Sequence, residues 1–164
     1  MSWQGHIRCG KLSCVSGTFD RTAQLLPLPD GRQLGFAEWG AEGGDLVVVD
    51  FHGGPGCRLA ISADLTVIEA MGVRWISVDR PGLGLSFPQP DRSVADFADD
   101  IRCLLDHLGL EGVVAVGWSM GGPYTAAFAA RCPARVRGFG LLAPAQLGLD
   151  REGGAERMGK AWAW

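Results

Sequence analysis

Apolar residues in this chain follow two alternating patterns. Leu46-Val47-Val48-Val49-Asp50-Phe51, Val73-Arg74-Trp75-Ile76-Ser77-Val78-Asp79 and Gly112-Val113-Val114-Ala115-Val116 are short, nearly continuous apolar runs. Runs of this length, rich in β-branched residues and bounded by turn residues, read as strands covered on both faces. Between the second and third run, Val94, Phe97, Ala98, Ile101, Leu104, Leu105 and Leu108 recur at steps of three and four. They form one apolar helical stripe, with Asp99, Asp100, Arg102 and Asp106 on the wet side. Ser93 is placed to N-cap this helix, Asp96 complements its N-terminus, and Gly109 ends it. A helix is also expected from about Arg58 to Met71, ending at Gly72. Another is expected over Pro123–Arg131, stopped by Pro133. Val136–Pro144 reads as a further strand. Upstream, Gln33–Gly40 alternates polar and apolar residues as a half-exposed strand does, and Asp30-Gly31 marks a turn to an antiparallel partner at the sheet edge. The rest of residues 1–30 carries little periodic signal. The tail from Gln146 contains a helix-like stretch from about Ala155.

Strand and helix alternate from Leu46 to Ala143. That order predicts an α/β fold: a mostly parallel sheet with right-handed crossovers and helices on both faces. Ligands in such sheets bind at the carboxyl ends of the strands. Three motifs fall there: His52-Gly53-Gly54-Pro55-Gly56, the loop Asp79-Arg80-Pro81-Gly82-Leu83-Gly84-Leu85-Ser86, and Gly117-Trp118-Ser119-Met120-Gly121-Gly122. The last sits between a strand and an alanine-rich helix, the context of a G-x-S-x-G nucleophile elbow. Its glycines let neighbouring chain pass close to a strained turn with Ser119 at the apex. The helix N-terminus then faces Ser119, and the Met120 amide can hydrogen-bond a developing oxyanion.

Composition narrows the function. At 164 residues, 47% hydrophobic and 20% charged, the chain is an ordinary globular domain with a sizeable core. A net charge of −3 without long runs of either sign argues against nucleic acid and an anionic membrane surface as partners. No stretch approaches a membrane span, and the N-terminus lacks a signal-peptide core, so a cytoplasmic location is expected. The five cysteines form no C-x-x-C pair and no histidine falls at zinc-site spacing. Reduced thiols, no metal and no cofactor are expected.

Residues 33–145 resemble the α/β-hydrolase superfamily through those three motifs, and the H-G-G-P-G form is similar to the proline iminopeptidase branch. The resemblance implies Ser119 as nucleophile and the amides of Gly54 and Met120 as oxyanion hole. Gly54 also suits that task in its own right, because a backbone N–H must approach substrate with no side chain in the way. In the family the loop histidine, here His52 beside Gly53, is structural. Asp79 stands where the family has a loop-stabilising carboxylate, expected to cap backbone amides or to pair with Arg80. The substrate class implied is a small-molecule ester or amide.

The sequence departs from the family in one respect. The triad order in this fold is Ser, then Asp or Glu, then His, yet no histidine follows Ser119; the three present are His6, His52 and His107. Asp150 would be an acid with no histidine to orient. The reading is therefore residues 1–145 as the N-terminal part of a hydrolase core and 146–164 as the start of a cap or a tail, with the C-terminal strands and most of the cap missing. The alternative is a non-catalytic, hydrolase-like module that binds a ligand or partner.

Overall fold

A computed structural model describes residues 20–145. Its six strands are β1 (Gln24–Pro27), β2 (Gln33–Gly40), β3 (Leu46–Phe51), β4 (Val73–Val78), β5 (Val113–Trp118) and β6 (Val136–Leu142). They form one sheet in the order β1-β2-β4-β3-β5-β6. The pairs β1/β2 and β2/β4 are antiparallel; β4/β3, β3/β5 and β5/β6 are parallel. The helices are α1 (Leu65–Ala70), α2 (Phe97–His107) and α3 (Gly121–Arg131).

The period-two geometry of the strands divides the core into two layers. Val47, Val49 and Phe51 of β3, Ile76 and Val78 of β4, and Val113 and Ala115 of β5 face α2 and α3, where Phe97, Ile101, Leu104, Tyr124 and Phe128 close the layer. Phe51 meets Phe97 edge-on at 6.1 Å and Phe128 at 6.0 Å. Val48, Val73 and Trp75 face the opposite way, against Ile68 of α1. Each fully buried apolar side chain of this kind contributes about 1.5–3 kcal/mol. A sheet covered on both sides thus explains why the central strands read as unbroken apolar runs. The tail beyond residue 145, with its expected helix, lies outside the described residues.

Four local readings are corrected. The helix expected from Arg58 begins only at Leu65, because Asp64 is its N-cap and accepts from the Thr66 amide at 2.8 Å. Residues 57–63 are instead loop, and Arg58 is committed elsewhere. The helix expected from Ser93 begins at Phe97. Ser93 and Asp96 do cap one another, each side chain accepting the other's amide, over the turn that leads in. Asp100, placed on the wet face, is buried beneath Arg32, which grips it with two nitrogens at 2.9 and 2.7 Å. And β2 is covered along Leu34–Glu38 rather than half exposed. The loop after β4 packs over Gly35, and Glu38 is paired with Arg74 at 2.7 Å.

Candidate active site

The three motifs meet because of register. Phe51 lies level with Val78 on one side and with Gly117 on the other. His52 after β3, Asp79 after β4 and, one residue further along, Ser119 after β5 therefore leave the sheet at one rim. The chain passes from β3 to β4 on one flank and then to β5 on the other. The crevice beside β3 is accordingly a topological switch point, the usual ligand position of an open α/β sheet.

Ser119 occupies the turn from β5 into α3 with φ of 49°, in the left-handed region that a non-glycine residue enters only under constraint. The constraint is visible. The Ser119 amide donates to Leu142 O at 2.9 Å, and the Ser119 carbonyl accepts from Gly122 and Ala145. A Cβ at Gly121 would strike the Phe51 carbonyl, and one at Gly117 would strike Thr125 Oγ1. The two glycines of the motif are thus required by backbone from β3 and by α3 itself. The Ser119 hydroxyl makes no hydrogen bond among the described residues.

Gly54 reaches the same place from β3. A Cβ at Gly54 would lie 3.0 Å from Met120 Cγ, so the loop and the start of α3 are in contact. Among the described residues neither the Gly54 nor the Met120 amide donates to a protein acceptor. Gly53 lies against the Trp118 ring, where a Cβ would come within 2.8 Å of Cε3, and the Gly54–Pro55 peptide is cis.

His52 is 1% exposed. Its Nδ1 lies 2.7 Å from Gly53 O, and Nε2 accepts the Arg80 amide in a long contact of 3.5 Å. This network assigns the proton to Nδ1. Burial, and then the Arg80 charge, lower its pKa from 6.5 to about 4. With both nitrogens engaged and no solvent access, the ring braces the loop and is not positioned to exchange protons with a ligand.

Asp79 is fully buried and caps two amides, Arg58 N at 2.6 Å and Leu85 N at 2.7 Å. Its ion pair is with Arg58, at 3.0 Å, and not with Arg80. Gly84 has no room for a Cβ against this carboxylate, and the Ser86 hydroxyl bridges Asp79 O to the Gly35 amide. Arg80 instead turns toward the β3 loop, donating to Gly53 O at 3.0 Å, and stacks over the Tyr124 ring at 5.2 Å. Sequence reasoning missed Arg58, Tyr124 and Arg92. The sequence reading places Arg58 at the start of one helix and Tyr124 within the alanine-rich one, with no role for either. No local pattern marks any of the three. Among the described residues no three His, Cys, Asp or Glu side chains converge as metal ligands, and no helix is long and apolar enough to cross a membrane.

A doubly covered, mostly parallel sheet with a strained serine turn, facing a glycine loop across its switch point, defines a hydrolase-type scaffold. The family model for the alpha/beta hydrolase fold matches residues 47–163, and the chain belongs to that family. It is 34% identical over 106 residues to the bifunctional esterase/perhydrolase DCH of Acinetobacter calcoaceticus, covering 63% of this chain and 38% of that protein. It is 39% identical over 108 residues to the 2-hydroxy-6-oxononadienedioate/2-hydroxy-6-oxononatrienedioate hydrolase 2 of Pseudomonas putida, covering 63% and 37%. The structure of a thermophilic esterase from Thermogutta terrifontis superposes with a TM-score of 0.71 at 29% identity, over 84% of this chain and 52% of that one. The chain thus spans little more than a third of the length of these two relatives.

Proposed function

We propose that this chain carries the nucleophile and oxyanion hole of a serine hydrolase that cleaves a small-molecule ester through an acyl-enzyme. One observation carries the reading: among the described residues, a Ser119 hydroxyl without a hydrogen bond on a left-handed turn, and amides of Gly54 and Met120 without a protein acceptor. Ser119 Oγ would attack the ester carbonyl carbon as a base takes its proton. The two N–H groups would hold the charge that develops on the carbonyl oxygen, a role worth roughly 10²–10³ in rate per donor. The alcohol would leave with the proton, and water would then release the acid.

The base is the missing part. Among the described residues His52 is spent on Gly53 and Arg80, and His107 is exposed at the end of α2. In this fold the histidine follows the nucleophile, no histidine follows Ser119, and His6 lies outside the described residues; the catalytic histidine is therefore proposed to come from outside these 164 residues. An ester is preferred over the N-terminal residue of a peptide, the substrate of the iminopeptidase branch. Holding an ammonium needs carboxylates, and the pocket next to Gly54 is lined by Arg80 and Arg92 with no acidic residue.

Fluorophosphonate labelling tests the reading. The 164-residue chain should label at Ser119 only slowly, since loss of a triad member leaves about 10³–10⁴ over water. A chain extended through a downstream histidine should label fast and stoichiometrically. Rapid labelling of the shorter chain would place the base within it, and an inert extended chain would refute the hydrolase assignment. The missing base also favours a second reading, a binding module without chemistry. In native mass spectrometry a monodisperse monomer or dimer keeps that reading, and heterogeneous aggregate removes it.

A further inference from the structure

A cavity of about 340 Å³ opens beside the oxyanion amides, between the loops after β3 and β4 and the first turn of α3. Gly54 and Met120 line it together with Arg80, Arg92 and Tyr124. Both guanidiniums lie on one aromatic ring, Arg80 at 5.2 Å and Arg92 at 5.5 Å from the Tyr124 centroid. Neither has an ion-pair partner among the described residues. The carboxylate adjacent to Arg80, Asp79, is committed to Arg58. Asp96, which senses the Arg92 charge, is held by Ser93.

Arg80 is 6% exposed, and its Nε is buried with no partner. Arg92 spends Nη1 on the Tyr124 hydroxyl at 3.0 Å and keeps Nε and Nη2 without a hydrogen bond among the described residues. The Arg80 pKa is pushed down by burial and, to a smaller degree, by Arg92, while Tyr124 opposes the shift. An arginine nevertheless stays protonated. Two like charges, one buried and neither neutralised, are unfavourable unless something anionic joins them.

We infer that the pocket receives a carboxylate, held by the free edge of Arg92 with the Arg80 charge behind it, so that the preferred substrate is an ester carrying a second, free carboxylate. The planar fork of a guanidinium matches a carboxylate in shape as well as charge. Tyr124 fixes the guanidinium planes by stacking and anchors Arg92 through its hydroxyl. The inference takes its chemistry from the serine-hydrolase reading, but the binding it requires does not need the serine.

The test uses Ser119→Ala chain, which cannot turn substrate over, and isothermal titration at low salt with two probes. Monoethyl succinate carries the free carboxylate; diethyl succinate is its neutral counterpart. The monoester should bind at least about tenfold more tightly, as a charge-assisted pair in a desolvated pocket implies, and the preference should shrink as sodium chloride is added. Arg92→Gln should bring the ratio near one, and Arg92→Lys, which keeps the charge and loses the fork, should leave it between the two. Equal affinity for both esters, no binding of the monoester, or a preference unchanged in Arg92→Gln overturns the inference. Failure of the hydrolase reading would look different: the carboxylate preference would persist while the extended chain resisted fluorophosphonate.

Discussion

Two loops leave the same rim of the sheet on opposite sides of β3, and they differ in how far their polar groups are satisfied. After β4, both Asp79 carboxylate oxygens accept hydrogen bonds, Ser86 ties the loop to β2, and Arg80 and His52 fasten it to the β3 loop; Arg80 Nε and Gln89 Oε1 are its exceptions, buried without a partner among the described residues. After β5, the Ser119 backbone is forced into the left-handed region, and among the described residues its hydroxyl makes no hydrogen bond and the Gly54 and Met120 amides have no acceptor. Nothing in local propensity requires neighbouring loops to differ so. A scaffold must be internally satisfied to be rigid, whereas a reactive position must keep donors and acceptors for a ligand. The contrast separates support from chemistry among residues that one motif pattern groups together.

The largest expected effect lies on the closed side. Asp79→Ala leaves the Arg58 guanidinium without its ion pair and two loop amides without acceptors. Breaking one partner of a buried pair costs about 3–5 kcal/mol, which urea denaturation would register as a large drop in midpoint. A change below about 1 kcal/mol would mean that solvent already satisfies this loop, and the contrast would fail.

His52 gives the same side a pH signature. Its folded-state pKa of about 4, against 6.5 ordinarily, means that the unfolded chain binds the proton first as pH falls. The stability supplied by the neutral ring is fully present above about 6.5 and is lost between there and about 4, up to roughly 3 kcal/mol in total. Burial also raises the carboxyl pKa of Asp50 and Asp100, which adds its own pH dependence, so the readout is a difference. Unfolding midpoints near pH 4.5 and near pH 7.5 should separate widely in the wild type and by less in His52→Asn. Equal slopes would show that water reaches the ring.

On the open side the expected sign reverses. Ser119→Gly removes a Cβ from a left-handed position, a strain of about 1–3 kcal/mol, and adds unfolded-state entropy of roughly 0.5–1 kcal/mol. The net is a gain of about 1 kcal/mol in stability together with loss of the fluorophosphonate target. Loss of stability instead would mean that the serine side chain is part of the packing.

This division also marks what could be read from the residues alone. The alternation of apolar runs and helical stripes, a property of local period, yielded the sheet, its two covering layers and the convergence of three loops. The start of α1 falls later than the sequence reading places it because Asp64 caps the helix and Asp79 holds Arg58 in the preceding loop, 21 residues away in sequence. Asp100 was assigned to solvent because its partner, Arg32, lies 68 residues away. The Arg80–Tyr124–Arg92 cluster joins the β4–α2 connection to α3 at no recognisable spacing. Contacts within an element leave a periodic trace; pairs between distant elements leave none.

The smallest expected effect probes how far the open side extends. Among the described residues β6 pairs only with β5, and Phe139, Leu141 and Leu142 on it are substantially exposed, Phe139 at 57%. Truncating a buried phenylalanine costs about 3–5 kcal/mol, but substitution of an exposed one should stay within about 0.5 kcal/mol. Phe139→Thr keeps strand propensity while removing the ring, so its effect isolates burial. A near-zero shift means that β6 stands open in solution. A loss above about 2 kcal/mol would mean that something covers the strand, and its dependence on protein concentration would tell which: a second copy makes the loss grow with concentration, while residues outside 20–145 of the same chain leave it constant.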